Sequence, residues 1–289
     1  VPFYPSYDGT RLHFDEVGDG PPVLALPGGP GTDVRYLGDL GGLAAGRRLI
    51  RMDARAAGRS EVPGDHATVS FVEQARDVEE LRRFLGLTRV DVIAHSAGTL
   101  TAQEYAVAHP GRVRRMVLVT PVGRAAREPD AAELAALRAS RAEEPWYQAA
   151  SAADAALRAG GLSREAEVMA RARMVPFSWH RWSAERRRAE YVPGHATSLP
   201  WLREAFYDGS STEPDRLARL AASRVPVLVI AGASDGLIGT APARLVAAAY
   251  PDSRLEVMPE AGHRPWAEQP DLFRTLVDDF LSAGQPPRV

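Results

Sequence analysis

The chain contains no cysteine and no lysine. Without cysteine, disulfides, thiolate metal sites and thiol nucleophiles are excluded outright. All 35 basic residues are therefore arginine, set against 37 acidic ones, and the formal net charge is −2. Nucleic acid and anionic membranes select a basic excess, so neither is expected as a partner. Arginine runs such as Arg186-Arg187-Arg188 read as a solvated helix face. No apolar stretch approaches the roughly 20 residues that a membrane helix needs. The start, Val1 to Gly9, lacks a basic segment followed by an apolar run, so it does not read as a signal peptide. A cytoplasmic location is the expectation. What is present is an ordinary globular balance, 45% apolar and 25% charged over 289 residues, long enough for one large α/β domain with an insertion.

Short apolar runs alternate with longer amphipathic stretches. Val23–Leu26, Leu49–Met52, Val90–Ala94, Met116–Val119, Val227–Ala231 and Leu255–Met258 read as buried parallel strands. Phe71 to Leu85 keeps Val72, Ala75, Val78, Leu81 and Leu85 on one helical face; Gly98–His109, Ala241–Ala249 and Pro270–Ser282 are three further helices. Such alternation predicts a parallel sheet with right-handed crossovers. It lapses between about Gly123 and Ser223, where the chain is rich in Ala, Arg and Glu and holds four of the five tryptophans. The reading is an α/β core over 1–123 and 224–289, with a helical cap over 124–223. Pro145, Pro176, Pro193 and Pro200 divide that cap into short helices.

The strongest chemical signal is Val92-Ile93-Ala94-His95-Ser96-Ala97-Gly98, a buried strand running through small residues into a helix. This is the pattern of a nucleophile elbow, G-x-S-x-G, with Ala94 at the first glycine position. The serine sits in a tight turn, so the residues on either side of it must be small. The turn sets the hydroxyl beside the free N–H groups of a helix N-terminus. A serine hydroxyl is a weak nucleophile until a base, itself oriented by an acid, takes its proton. Asp235 follows the Val227–Ala231 strand and His263 follows the Leu255–Met258 strand. Both therefore stand at carboxyl ends of strands, where parallel sheets carry their sites, in the chain order Ser, acid, His. His95 abuts the serine and is expected to point away from it into packing. For the oxyanion, one donor is expected to be the N–H of Ala97, the residue after the nucleophile. The other is expected from Pro27-Gly28-Gly29-Pro30-Gly31, with Gly29 the choice and Gly28 the alternative.

Together these stretches resemble the proline iminopeptidase-like branch of the α/β-hydrolases. Gly28-Gly29-Pro30-Gly31 is similar to its H-G-G-P-G loop, with Pro27 in place of His. Asp53-Ala54-Arg55-Ala56-Ala57-Gly58-Arg59-Ser60 is similar to its D-x-R-G-x-G-x-S motif, with Ala56 for the first Gly. Ala94-His95-Ser96-Ala97-Gly98 matches its elbow, and the Gly232…Asp235 turn and Gly262-His263 agree with it too. The resemblance covers about 1–123 and 224–283. It implies the α/β-hydrolase fold, a mostly parallel central sheet flanked by helices with a helical cap, and hydrolysis without metal or organic cofactor.

In the cap the resemblance fades. The branch binds its substrate's free amino terminus with cap glutamates, and at the best local match, Ala172–Pro176, the expected Glu is Val175. Glu204 is a candidate second carboxylate. The cap is aromatic instead, and Trp146, Trp179, Trp182 and Trp201, with Trp266 beside His263, are candidates for an apolar substrate pocket, as is Gly28. The expectation is a serine hydrolase with Ser96 as nucleophile, Asp235 as acid and His263 as base. Its preferred substrate is a small peptide or amino-acid amide, and the alternative is an ester or lactone of a hydrophobic small molecule. An epoxide hydrolase or dehalogenase needs a carboxylate at the elbow, which Ser96 is not. A lyase or transferase on the same scaffold, and a non-catalytic ligand-binding protein, are the remaining readings.

Overall fold

A computed structural model describes residues 2–186, 200–208 and 214–283. Strands β1 (Phe3–Pro5), β2 (Arg11–Val17), β3 (Pro22–Leu26), β4 (Arg48–Met52), β5 (Val90–His95), β6 (Val113–Val119), β7 (Val227–Gly232) and β8 (Ser253–Met258) form one sheet in the order β1-β2-β4-β3-β5-β6-β7-β8. From β4 to β8 every neighbouring pair is parallel. At the other edge β1 and β2 are antiparallel, with Phe14 opposite Met52.

These two strands are absent from the sequence reading, and the reason is local. In Arg11–Val17 the apolar pattern is broken by His13, Asp15 and Glu16. Their partners come from distant segments: His13 Nδ1 meets Asp53 at 2.8 Å and Asp15 takes both Arg51 Nε and Nη2.

Pleating sends successive residues to opposite faces, and the core divides accordingly. Leu24, Leu26, Val92, Ala94, Met116, Leu118, Val227 and Val229 face one layer. Helices α1 (Phe71–Phe84) and α2 (Gly98–Ala108) cover it through Ala75, Val78, Leu81, Ala102 and Tyr105. Val23, Ala25, Ile93, Val117, Leu228 and Ile230 face the other, against Trp266, Phe273, Val277 and Leu281. Helix α1 starts where Ser70 Oγ accepts the Glu73 N–H, an N-cap that occupies one of the free donors of the first turn.

Between β6 and β7 lie α3 (Ala131–Ala139), α4 (Tyr147–Ala159), α5 (Arg164–Met174), a 3-10 turn at Val175–Ser178, α6 (Pro200–Tyr207) and α7 (Pro214–Ala222). Pro145 precedes α4, Pro176 lies in the 3-10 turn and Pro200 opens α6; Pro193 is outside the described residues. After β7 come α8 (Ala241–Ala249), α9 (Pro265–Glu268) and α10 (Pro270–Ser282). Glu133 of α3 accepts the backbone N–H groups of Thr240 and Ala241 at 2.9 and 2.8 Å. A carboxylate at the N-terminus of α8 meets its free donors and dipole, and this seats the inserted helices on the sheet domain. Among the described residues no helix is long and apolar enough to cross a membrane.

Candidate active site

Strand β5 ends at His95 and α2 begins at Gly98, so Ser96 occupies the turn, at φ +52°. A left-handed backbone is costly for a side-chain-bearing residue and is held only where the surroundings fix it. Here the Ser96 N–H donates to Val119 O at 2.9 Å and its carbonyl accepts the Thr99 N–H at 3.1 Å. A Cβ on Gly98 would stand 2.2 Å from Pro27 O, so no larger residue fits there without moving the loop after β3. Ala94, at the other flank, is buried with room for its methyl.

The structure brings Ser96, Asp235 and His263 together from three strand ends. His263 Nε2 is 3.0 Å from Ser96 Oγ, and His263 Nδ1 is 2.7 Å from Asp235 Oδ2. Asp235 is fully buried, and its Oδ1 accepts the N–H groups of Leu237 and Ile238 at 2.9 and 3.2 Å. A carboxylate held this way can only accept, so Nδ1 carries the imidazole proton and the Nε2 lone pair faces the serine hydroxyl. Ser96 itself is 8% exposed.

The loop after β3 lies against Ser96: a Cβ on Gly28 would come within 2.8 Å of Ser96 Cβ. The two glycines of this loop differ. The Gly28 N–H donates to the Tyr36 hydroxyl at 2.6 Å, so it is engaged and is not a free oxyanion donor. Neither the Gly29 nor the Ala97 N–H meets an acceptor among the described residues.

A small void under the loop after β3 is lined by Pro27, Gly28, Ala97, Gly98, Leu202 and Phe206 together with the buried Met52, Arg55 and Gln74; Ser96 and His263 are not among its lining residues. Leu202 and Phe206 of α6, spaced one turn apart, are its wall from the insertion, and none of the tryptophans lines it. Trp201 stacks on His66, with ring centroids 3.8 Å apart, and Trp146 packs edge-on against Phe177 at 5.2 Å. Trp182 is half-buried. Trp266 is buried behind His95, 4.8 Å away and edge-on. Trp179 is buried over the base loop, where a Cβ on Gly262 would lie 2.9 Å from Trp179 Cα. Glu204 is exposed on α6 and Val175 is half-buried in the 3-10 turn.

The insertion also touches the loops that carry His263 and Asp235 through its backbone. Ser178 O accepts the His263 N–H at 2.7 Å and Phe177 O accepts the Gly236 N–H at 2.9 Å. Glu268 gathers the N–H groups of Gly262, His180 and Arg181 at 2.8, 3.1 and 3.1 Å. Both ring nitrogens of His95 are taken by partners other than Ser96 Oγ. Rather than packing alone, His95 hydrogen-bonds Tyr36 through Nδ1 at 2.6 Å and the His263 carbonyl through Nε2 at 2.9 Å. Burial, with His263 and Arg264 close by, holds the His95 pKa well below its ordinary value. Tyr36, Ser178 and Glu268 carry no motif, and nothing in their sequence neighbourhoods announces these contacts.

The α/β hydrolase fold family matches residues 21–268. The chain is 33% identical to the proline iminopeptidase of Heyndrickxia coagulans over 108 residues, 37% of this chain and 38% of that one. It is 26% identical to the 2-hydroxy-6-oxo-6-phenylhexa-2,4-dienoate hydrolase of Comamonas testosteroni over 276 residues, 93% of this chain and 91% of that one. Among solved structures, a hydrolase from Pseudomonas aeruginosa superposes with a TM-score of 0.72 at 26% identity, covering 98% of each chain. With its sheet order, its strand-end site and this match across most of its length, the chain belongs to the α/β-hydrolase fold family and is a hydrolase of that fold.

Proposed function

We propose that Ser96, His263 and Asp235 are a catalytic triad that hydrolyses a carboxylic ester or lactone of an apolar small molecule through an acyl-enzyme, under a cap formed by residues 124–223. The observation that carries this reading is the line Ser96 Oγ–His263 Nε2–Asp235, at 3.0 and 2.7 Å.

In this mechanism His263 Nε2 takes the Ser96 proton as Oγ attacks the carbonyl carbon. The oxyanion is held by the N–H groups of Ala97 and Gly29. Collapse breaks the bond to the leaving alkoxide, which takes the proton from His263. Water, deprotonated by the same nitrogen, attacks the acyl-enzyme and releases Ser96 and the acid. Asp235 keeps the imidazole in the required tautomer and stabilises its cation.

An ester is favoured over a peptide by the insertion's side chains. Val175 cannot bind an ammonium group, and Glu204 is exposed on α6. An aminopeptidase acting on a small peptide or amino-acid amide is the second reading, supported by the Gly28–Gly31 loop and the partial likeness to a proline iminopeptidase. The separating experiment compares wild type and Ser96→Ala on p-nitrophenyl esters of short and medium acids and on prolyl, alanyl and leucyl anilides. Ester turnover that falls at least about 10³-fold in the variant supports the proposal. Anilide turnover that dominates in wild type and is lost in the variant supports the aminopeptidase, and equal activity in both proteins contradicts each.

A further inference from the structure

Gly28, Tyr36, His95 and His263 lie on four separate segments: the loop after β3, the 3-10 turn Val34–Leu37, the end of β5 and the loop after β8. A continuous line of hydrogen bonds joins them. The Gly28 N–H donates to Tyr36 Oη at 2.6 Å, Tyr36 Oη meets His95 Nδ1 at 2.6 Å, and His95 Nε2 meets the His263 carbonyl at 2.9 Å.

The proton positions follow from what each group can do. A carbonyl only accepts, so His95 Nε2 carries a hydrogen. A backbone N–H only donates, so Tyr36 Oη accepts from Gly28. Burial against the Trp266 ring edge keeps His95 a neutral imidazole. Its one hydrogen is on Nε2, so Nδ1 presents its lone pair and Tyr36 Oη donates to it. Each link has a defined direction, and none touches Ser96 Oγ.

We propose that Tyr36 and His95 are positioning residues that tie the oxyanion loop to the backbone of the catalytic base, fixing the separation between the Gly29 donor and His263. The proposal rests on the serine-triad reading of the site. Its physical basis is the tolerance of such sites: oxyanion donors and base act on one carbonyl, and displacements of an ångström cost large factors in rate. The loop has little other freedom on this side, because a Cβ on Gly28 would sit 2.9 Å from His95 Nδ1 as well as 2.8 Å from Ser96 Cβ. At the far end the His263 carbonyl also accepts from Thr120 Oγ1 at 3.1 Å, so His95 pulls on a peptide already anchored to the end of β6. Removing the Tyr36 hydroxyl releases Gly28 and leaves His95 Nδ1 without its donor. Both ends of the line loosen through one atom.

The test uses the full chain as wild type, Tyr36→Phe, His95→Phe, His95→Gln, the Tyr36→Phe/His95→Phe double variant and Ser96→Ala. Each is assayed on a p-nitrophenyl ester, with active sites counted by a fluorophosphonate. A glutamine amide offers one donor and one acceptor at nearly the spacing of the two imidazole nitrogens, so it can restore both links. Tyr36→Phe and His95→Phe are expected to lose about tenfold or more in kcat per labelled site, with KM within about threefold. Affinity for a trifluoromethyl ketone, which forms an oxyanion on the serine, is expected to fall by a similar factor. The double variant should fall no further than the worse single one, and His95→Gln should recover most of the loss. The inference is overturned if both single variants keep wild-type kcat per labelled site and lose only melting temperature, if the change falls on KM, or if His95→Gln is as impaired as His95→Phe. Should His95→Phe fail to fold, Tyr36→Phe, which removes one oxygen, and His95→Gln decide the matter. Absence of labelling in wild type, with Ser96→Ala fully active, overturns the triad reading itself and the positioning role with it.

Discussion

The carbonyl of Ser178 accepts the backbone N–H of His263 at 2.7 Å, so a residue of the inserted segment holds the peptide of the imidazole that faces Ser96. On the other side of His263, its carbonyl is held by His95 and Thr120. A shift of the segment from Val175 to Arg181 would therefore be felt at His263 directly, without passing through a substrate.

Glu268 is the group that fastens this segment to the base loop. Its carboxylate accepts three backbone N–H groups, from Gly262, His180 and Arg181. Bonds to a charged acceptor are about twice as strong as neutral ones. Glu268→Gln keeps the shape but removes the charge and turns an NH2 toward donors. The expected outcome is amide hydrogen exchange faster by about tenfold at residues 178–181 and 262–263, with kcat lowered, at little change in far-ultraviolet circular dichroism. Unchanged exchange in both segments would show that Glu268 does not fasten them.

A second prediction concerns stability alone. The Arg55 guanidinium is fully buried; its Nε and Nη2 reach Asp77 at 2.7 and 2.6 Å, and Nη2 reaches Asp8 at 3.2 Å. Asp77 is buried too, and Ser6 also donates to it. Arg55→Met strands that carboxylate and is expected to cost about 3–5 kcal/mol in urea unfolding at neutral pH, while Arg55→Met/Asp77→Leu recovers most of the loss. A single variant within about 1 kcal/mol of wild type would contradict the pairing as an energetic unit.

Acid sensitivity follows from Glu79. Burial pushes its carboxyl up, but hydrogen bonds from Arg82 and Tyr105 outweigh that and leave its pKa at about 2, against an ordinary 4.5. A depressed native pKa stabilises the fold in full above the unfolded-state value. The contribution drains away as the pH falls through the native one. The stability difference between wild type and Glu79→Gln should therefore be constant from neutral pH down to about 5 and shrink progressively toward pH 2. A difference independent of pH over that window would mean that the charge of Glu79 is not what joins α1 to α2.

How far the sequence reaches can be seen residue by residue. Strands β3 to β7 and helices α1, α2, α8 and α10 are legible because burial on both faces, or on one helical stripe, leaves an apolar period in the chain. Leu255–Met258 is a strand as its sequence suggests, but at the sheet edge, with Met258 buried and Val257 exposed. Arg11–Val17 leaves none, since its buried His13 is satisfied by Asp53, some forty positions on, and no local pattern records that. Ser96, Asp235 and His263 are legible as neighbours because small residues and strand ends dictate where they stand. The packing of the insertion is not: Trp146 and Trp201 are conspicuous in composition, but nothing near them in the chain announces that they pack on Phe177 and His66. Choosing between Gly28 and Gly29 needed the Tyr36 hydroxyl, whose position depends on the 3-10 turn that carries it.

Whether Ser96 is a nucleophile activated by His263 is read from intact-mass and peptide-mapping analysis after exposure to a fluorophosphonate. Wild type is predicted to gain one phosphonyl adduct, mapped to Ser96, with ester hydrolysis lost in proportion. His263→Ala should be labelled at least about 10²-fold more slowly, because the hydroxyl then lacks its base. Labelling at another residue, or a wild-type protein that stays unmodified while hydrolysing esters, would contradict the account.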